Sequence, residues 1–333
     1  MSEYSNDPEL IKSIRAKPGM YFGSIGARGV EQFVYELVAN VIDLYLANKA
    51  TFARVEIDGS TISVMDDGVG LPFDEPSDLD GVSLATKFLT HVHWKRSRDG
   101  HVPHVHIKRL GIGIAPLNIA SNRLTVRSWR SGLLWEQHFS RGIPQSPATV
   151  VEEGNGRGTK IEVFPDAEIF GEAKPRLGVI RAALFEAVHL YSGLKIEFHQ
   201  ERFHAHLGLQ MLGFMLLNPL SLFTNPDPLP FHVTLRAENL FIEVAIFGEG
   251  LRKSIFSWVN GVITPDGGSH VEGLLQALKD VNWKPEIGLI HLVMLDPNFA
   301  GPMRTKLDVP QMRKAIRDAL REPLREYRSA CKI

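Results

Sequence analysis

Apolar side chains recur along this chain with two periods. Val34, Leu37, Val38, Val41 and Tyr45 follow helical spacing and predict a strong helix from about residue 29 to 47. Residues 54–57 and 61–65 alternate around Asp58-Gly59, the signature of a hairpin. Strand-like alternation returns at 123–130, 134–140 and 159–164, and shorter helical patterns at 8–16, 81–90, 113–120 and 176–191. Between the first two helices, Pro18 and Gly19 predict a turn across Lys17–Tyr21. The composition shifts near residue 200. Beyond it the pattern predicts helices at 207–217, 269–280 and 309–327, with strands at 231–237, 240–247 and 288–295. Strands and helices mix without strict alternation, so the expected class is α+β rather than a doubly wound sheet.

The most apolar run, Leu207–Phe223, is interrupted by Gln210, Asn218 and Pro219. It is also shorter than the ~20 residues of a membrane-spanning helix, so it reads as a buried helix and its exit. The 333 residues suggest two domains, and 44% hydrophobic with 23% charged residues excludes disorder, collagen-like repeats and a coiled coil. With 37 basic against 38 acidic residues the net charge is −1, which argues against gripping nucleic acid over the whole surface and leaves only a local patch. The single cysteine, Cys331, excludes an intrachain disulfide and a cysteine zinc site. The polar, acidic N-terminus is no signal peptide, and the expected location is the cytoplasm, with no membrane partner.

Three segments carry candidate chemistry. On the helix at 29–47, Glu36, Asn40 and Asp43 share an arc of about 60° opposite the apolar face; a plain amphipathic surface helix would show the same pattern. The strand at 61–65 runs into Asp66-Asp67-Gly68-Val69-Gly70, where a carboxylate beside closely approaching backbone can accept a hydrogen bond from an exocyclic amine such as adenine's. A solvated Asp-Gly turn is the plainer alternative. Finally, Gly111-Ile112-Gly113 opens a helix, and free N–H groups there can cradle phosphate.

In this order and spacing, Glu36-x-x-x-Asn40, Asp66-x-Gly68-x-Gly70 and Gly111-x-Gly113 resemble the nucleotide-binding motifs of the GHKL superfamily, which includes gyrase, the ATP-dependent chaperones and the histidine kinases. The resemblance narrows further. Arg15-x-Lys17-Pro18-Gly19-Met20-Tyr21-Phe22-Gly23 is similar to the lead-in of the gyrase B and topoisomerase IV ATPase domain, and Gly158-Thr159-Lys160-Ile161 to its Gly-Thr strand. Ser257–Asn260 with Gly267–Gly273, and 296–301, resemble stretches of the transducer domain that follows, so the likeness runs from about residue 10 to 325.

The resemblance implies a two-layer GHKL (Bergerat) ATP-binding sandwich over 1–200 and a smaller α+β transducer domain, ribosomal protein S5 domain 2-like, over 201–333. It implies an ATPase that uses ATP and Mg²⁺ and forms a homodimer on ATP binding, with DNA and a separate cleavage subunit or domain as further partners and no DNA cleavage by this chain alone. A standalone ATP-switched dimer acting on a protein partner is the alternative, and a nucleotide binder with crippled hydrolysis a third. By the resemblance, Glu36 is the general base and Asn40 the Mg²⁺ ligand. Asp66 takes the adenine amine with Thr159 nearby, Gly68 and Gly70 shape the base pocket, and Gly111, Ile112 and Gly113 hold phosphates.

This sequence departs from the family pattern in three places. His106–Leu110 stands where the family has a glycine-rich lid, and Lys108 and Arg109 could meet phosphate instead. Leu44 and Val69 replace an acid–arginine pair, which suggests a packed apolar pocket wall, while Arg130 matches an arginine at the pocket mouth. The transducer's phosphate-sensing lysine falls on Arg304 or, with a two-residue shift, on Lys306, which keeps a Thr-Lys pair. Five histidines between His91 and His106 include His-x-His spacings that can chelate a transition metal, but with only Asp99 as a nearby acid they read as a solvated basic loop.

Overall fold

The computed structural model describes residues 8–79, 81–91, 107, 111–217, 229–237, 240–250, 254–295 and 297–331. Lys108 and Arg109, with the histidine cluster beyond His91, lie outside the described residues. Among those described, residues up to 91, 111–185 and 194–204 form one compact unit, and 107, 186–193 and 205 onward a second.

The first unit is built on a nine-stranded sheet. Its elements are α1 (Pro8–Ala16), α2 (Pro18–Phe22), α3 (Ala27–Leu46), β1 (Phe52–Asp58), β2 (Thr61–Asp66), α4 (Leu84–Thr90), α5 (Ile114–Ile119), β3 (Ser121–Arg130), β4 (Leu133–Ser140), β5 (Ile143–Pro144), β6 (Thr149–Glu153), β7 (Thr159–Pro165), α6 (Ala167–Phe170), the start of α7 (Leu177–Leu190), β8 (Lys195–Phe198) and β9 (Glu201–His204). The strand order is β5-β4-β3-β7-β2-β1-β8-β9, with β6 also on β4. Strand β3 shows how the faces divide, since Leu124, Val126 and Ser128 are buried while Arg123 and Arg127 are exposed. Helix α3 lies against β1, β2 and β7.

The Lys17–Tyr21 turn is in fact the one-turn helix α2, because Pro18 occupies its first turn, where a missing N–H costs nothing, and Gly23 at φ 68° ends it. Phe22 stacks on Phe33 of α3, and Phe170 meets both rings edge-on. Helix α3 is no surface helix: every residue from Gly29 to Ala39 is buried. Its acids are therefore either paired or held for another purpose. Glu31 accepts the backbone N–H, Nε and Nη2 of Arg176.

The second unit has a five-stranded sheet, in the order β10 (Phe231–Ala237), β11 (Leu240–Phe247), β14 (Ile287–Met294), β12 (Ser254–Val259), β13 (Val262–Ile263). Ile242, Val244, Ile290 and Leu292 form its core with Leu274 and Leu278 of α9 (Ser269–Asp280) and Ile316, Leu320 and Leu324 of α10 (Gln311–Ala330). Helix α8 (Gly208–Leu217) contacts β11 and β14. It corrects the expectation of a buried helix, for only Gly208, Leu209 and Gly213 are buried and Leu216 is 43% exposed. Its composition is apolar nearly all round, and most of its other residues are half-buried. Among the described residues no helix is long and apolar enough to cross a membrane.

Beside the apolar core, the second unit buries polar side chains in a row. Glu243, His291 and Trp258 face one another across β11, β14 and β12. Glu243 accepts the Leu209 N–H at the start of α8 and shares a hydrogen bond with His232, while Trp258 Nε1 donates to Glu186. Burial pushes His291 down to about 3, with nearby His270 adding to the shift, and burial pushes His270 itself down to about 4. Both rings are neutral when folded and take up a proton on unfolding below pH 6.5. Stability is therefore present above the ordinary histidine value and is lost as pH falls below it, by up to about 1.4 kcal/mol per pH unit for each ring. Melting temperature measured from pH 7.5 to 4.5 is expected to fall steeply below 6.5, and to fall less in His291→Phe. An equal slope in that variant would remove His291 as a cause.

Candidate functional site

The candidate site lies within the first unit, where the ends of β2 and β7 meet α3 and the turn before α5. Asp66 ends β2 and Asp67 follows it, but the fold treats the two acids differently. Asp67 accepts the backbone N–H groups of Thr51 and Phe52 and the Thr51 hydroxyl. Burial opposes its ionisation, yet these donors hold its carboxyl below the ordinary range. It fastens the end of β2 to the start of β1.

Asp66 is 8% exposed. Its Oδ1 accepts the Gly68 N–H at 2.7 Å and the Thr159 N–H at 3.3 Å. Among the described residues no group bonds Oδ2. Burial pushes this carboxyl up to about 6, against the pull of the two backbone N–H groups, and neighbouring Asp67 adds to the rise. A buried carboxylate with an oxygen to spare is poised to accept from an incoming N–H.

The walls of this recess are backbone brought unusually close. A Cβ on Gly158, at φ 92°, would stand 1.9 Å from the Asp66 carbonyl oxygen, and one on Gly70, at φ 78°, would stand 1.8 Å from the Trp129 carbonyl oxygen. Neither position can carry a side chain. Ser128 Oγ accepts the Leu71 N–H and bonds the Thr159 hydroxyl at 2.9 Å, closing the wall between β3 and β7. Nothing in the sequence pattern marked Ser128 or Trp129. The alternation of β3, which turns Ser128 inward, is the signal that could have found Ser128.

Glu36, 6% exposed on α3, accepts the Gly113 N–H on Oε2 at 2.9 Å. The carboxylate and the glycine turn, 77 residues apart in sequence, therefore meet. Gly113 takes φ 76° at the entry to α5, and Gly111 and Ile112 precede it. One helical turn beyond Glu36, Asn40 is exposed while Asp43 is half-buried. An exposed amide oxygen beside a buried carboxylate fits a hard cation that keeps several waters.

The remaining candidates are placed as follows. Arg130 pairs with Asp74 (Nε–Oδ1 3.2 Å) and Glu75 at the end of β3. Leu44 approaches Gly68, but Val69 is 39% exposed. The two do not form the packed wall expected, because the turn at Gly68–Gly70 carries Val69 out towards solvent. Arg304 and Lys306 belong to the second unit, in a loop closed by pairing of Phe299 with Leu307. Arg304 is half-buried with φ 52°, and Lys306 is exposed.

No family model matches the chain. The DNA gyrase B protein of Clostridium acetobutylicum is 27% identical over 350 residues, covering 96% of this chain and 54% of that protein. Its Thermotoga maritima counterpart is 27% identical over 95% of the chain and 55% of its own length. The chain thus spans about half the length of the curated relatives it matches. Among solved structures, the 43K ATPase domain of Thermus thermophilus gyrase B, in complex with an aminocoumarin, superposes with a TM-score of 0.78 at 24% identity, covering 97% of this chain and 92% of that one. The DNA gyrase B protein from Myxococcus xanthus gives 0.75 at 21% identity, with 94% of each chain covered. The chain therefore resembles gyrase B proteins along nearly its whole length, and its α+β fold is that of the gyrase B and topoisomerase IV ATP-binding structures on which it superposes.

The Asp66 environment carries a stability cost. Its folded value near 6 lies above the ordinary 3.8, so the protonated form is favoured in the folded state and stability declines as pH rises through 6. Asn at this position keeps an oxygen for Gly68 and Thr159 and never ionises. Asp66→Asn is expected to raise stability at pH 8 by on the order of 3 kcal/mol, a gain that vanishes by about pH 4. Denaturant titrations at both pH values test it, and a variant no more stable than wild type at pH 8 would refute it.

Proposed function

We propose that the first unit binds and hydrolyses ATP with Mg²⁺, and that the chain works as the motor part of a gyrase B-type clamp. The observation that carries this reading is Asp66: a buried carboxylate fixed by Gly68 and Thr159 with one oxygen open, in a recess whose walls are glycine backbone. That is the chemistry that recognises an exocyclic amine, and the gyrase B relatives match along the same stretch.

On this reading Asp66 accepts the adenine amino group, with Thr159 beside it. Gly68 and Gly70 shape the base pocket, Gly70 through its close approach to the Trp129 carbonyl. The N–H groups of Gly111, Ile112 and Gly113 receive phosphate oxygens, so the Gly113 N–H passes from Glu36 to the nucleotide. Glu36 then orients the attacking water and takes its proton. Asn40 would hold Mg²⁺ through its amide oxygen, and the ion supplies charge neutralisation on the phosphates. Arg130, engaged by Asp74 and Glu75, borders the mouth of the recess. Lys108 and Lys306 supply cations to the phosphates, with Arg304 as the alternative to Lys306.

The domain limits proposed are 1–200 for nucleotide binding and 201–333 for the transducer. Nucleotide binding drives dimerisation, and DNA and a separate cleavage subunit are the partners of a clamp in the cytoplasm. Steady-state ATPase with and without DNA, with oligomeric state followed on adding a non-hydrolysable ATP analogue, tests this assembly. DNA stimulation supports the topoisomerase motor. Nucleotide-driven dimerisation indifferent to DNA supports a switch acting on a protein partner instead.

Glu36→Gln is expected to keep ATP affinity within about threefold while hydrolysis falls by roughly 10²–10⁴-fold. Calorimetry beside a phosphate-release assay measures both quantities. Wild-type turnover in this variant would remove the general-base role.

A further inference from the structure

Trp129 lies at the end of β3 with its backbone wedged between two segments of the recess. Its carbonyl oxygen faces Gly70, and its N–H donates to the Gly158 carbonyl at 2.9 Å. Its indole carries the loop that joins β6 to β7. A Cβ on Gly156 would stand 2.1–2.4 Å from Cε2, Cδ2 and Nε1 of the ring, and one on Gly154 would stand 3.2 Å from its far edge. The loop therefore lies directly on the indole plane. It is tied at one end by the Gly154 N–H, which donates to Gly132, and at the other by Gly158.

Asn155, Gly156 and Arg157 are exposed, whereas Gly158 and Thr159 are buried. No apolar side chain of the loop itself anchors this crossing. The indole is the surface that fixes where the loop descends, and it descends onto Asp66: Gly158 rests on the Asp66 carbonyl and the Thr159 N–H meets the Asp66 carboxylate.

We propose that Trp129 is a positioning residue for base recognition, acting through Gly158 and Thr159 to set the geometry of the Asp66 carboxylate. The inference rests on the adenine-pocket reading and deepens it. The side chain does not touch the base. It holds the loop at the height at which the Thr159 N–H reaches Asp66 Oδ1, which leaves Oδ2 turned to an exocyclic amine. Guanine presents a carbonyl oxygen at the place of that amine, so a correctly aimed Asp66 repels it. The quantity Trp129 controls is therefore the preference for adenine over guanine, more than affinity for the phosphates.

The test measures ADP, GDP and tripolyphosphate affinities by calorimetry on the full chain. Wild type is expected to prefer ADP over GDP at least tenfold. Trp129→Ala should lose about tenfold in ADP affinity and most of that preference, the scale of one misplaced charge-assisted hydrogen bond, with tripolyphosphate affinity unchanged. Trp129→Phe keeps a flat ring under the loop and should restore the preference to within about threefold. Gly156→Ala forces a Cβ into the indole and should reproduce the Trp129→Ala defect, yet add nothing in a Trp129→Ala background, where the clashing atoms are gone.

Wild-type base preference in Trp129→Ala overturns the proposal, as does a Gly156→Ala chain that discriminates normally. If Trp129→Ala loses tripolyphosphate binding as well, the chain has lost its fold, and Trp129→Phe with Gly156→Ala decide the matter alone. A wild type indifferent between ADP and GDP sinks the adenine-pocket reading itself, and this inference with it.

Discussion

Much of the first unit is arranged around a carboxylate that is almost out of water yet has backbone donors for only one of its oxygens. Asp66 would be costly to bury without the N–H groups of Gly68 and Thr159. Those donors reach it only because backbone from three places comes within van der Waals contact: the turn after β2, the end of β3 and the start of β7. Contact at that range excludes a Cβ at Gly70 and at Gly158. The register β3–β7–β2 follows, since Ser128 must stand opposite Thr159, and Met65 opposite Lys160, for the recess to close.

The second unit solves a related problem with other means. The loop carrying Arg304 and Lys306 leaves β14 at Met294, whose N–H and C=O are both taken by the buried side chain of Asn260. It returns at Leu307, which lies against Gly268 so closely that a Cβ there would meet the Leu307 carbonyl at 2.2 Å. Ser269 completes the return, its N–H donating to Leu307 and its hydroxyl accepting the Val309 N–H. The Asn260 and Gly267–Ser269 motifs thus hold both ends of one loop. Their spacing in sequence records that geometry and needs no direct contact with a ligand.

Most helices and main strands were legible because their apolar residues recur with a helical or strand period, even where burial, as on α3 from Gly29 to Ala39, extends all round. Several strands escaped, for different reasons. The hairpin of β8 and β9 turns on His199 at φ 52°, with no glycine to announce it. Strand β12 carried its own signal in Asn260-Gly261, both at positive φ, the pair that favours a two-residue hairpin. Strand β6 is exposed at every residue and so has no apolar period to read. Within the site, sequence brought forward the residues whose types are chemical. Trp129 and Ser128 were invisible because their contributions depend on what lies above and beside them.

The acids of this unit show why residue type alone underdetermines a site. Glu31 on α3, and Asp66 and Asp67 at the end of β2, are all buried or partly buried carboxylates. Glu31 receives three donors from Arg176, and Asp67 three from Thr51 and Phe52, so neither has much capacity left for a ligand. Asp66 receives two on a single oxygen, and its carboxyl is the one pushed up while that of Asp67 is held down. A carboxylate that fastens strands is stabilised by saturating it. One that reads a ligand has to be left short of donors, and the fold carries that deficit as a loss of stability. Adjacent in sequence, Asp66 and Asp67 are separated by this count of donors, which only the folded backbone supplies.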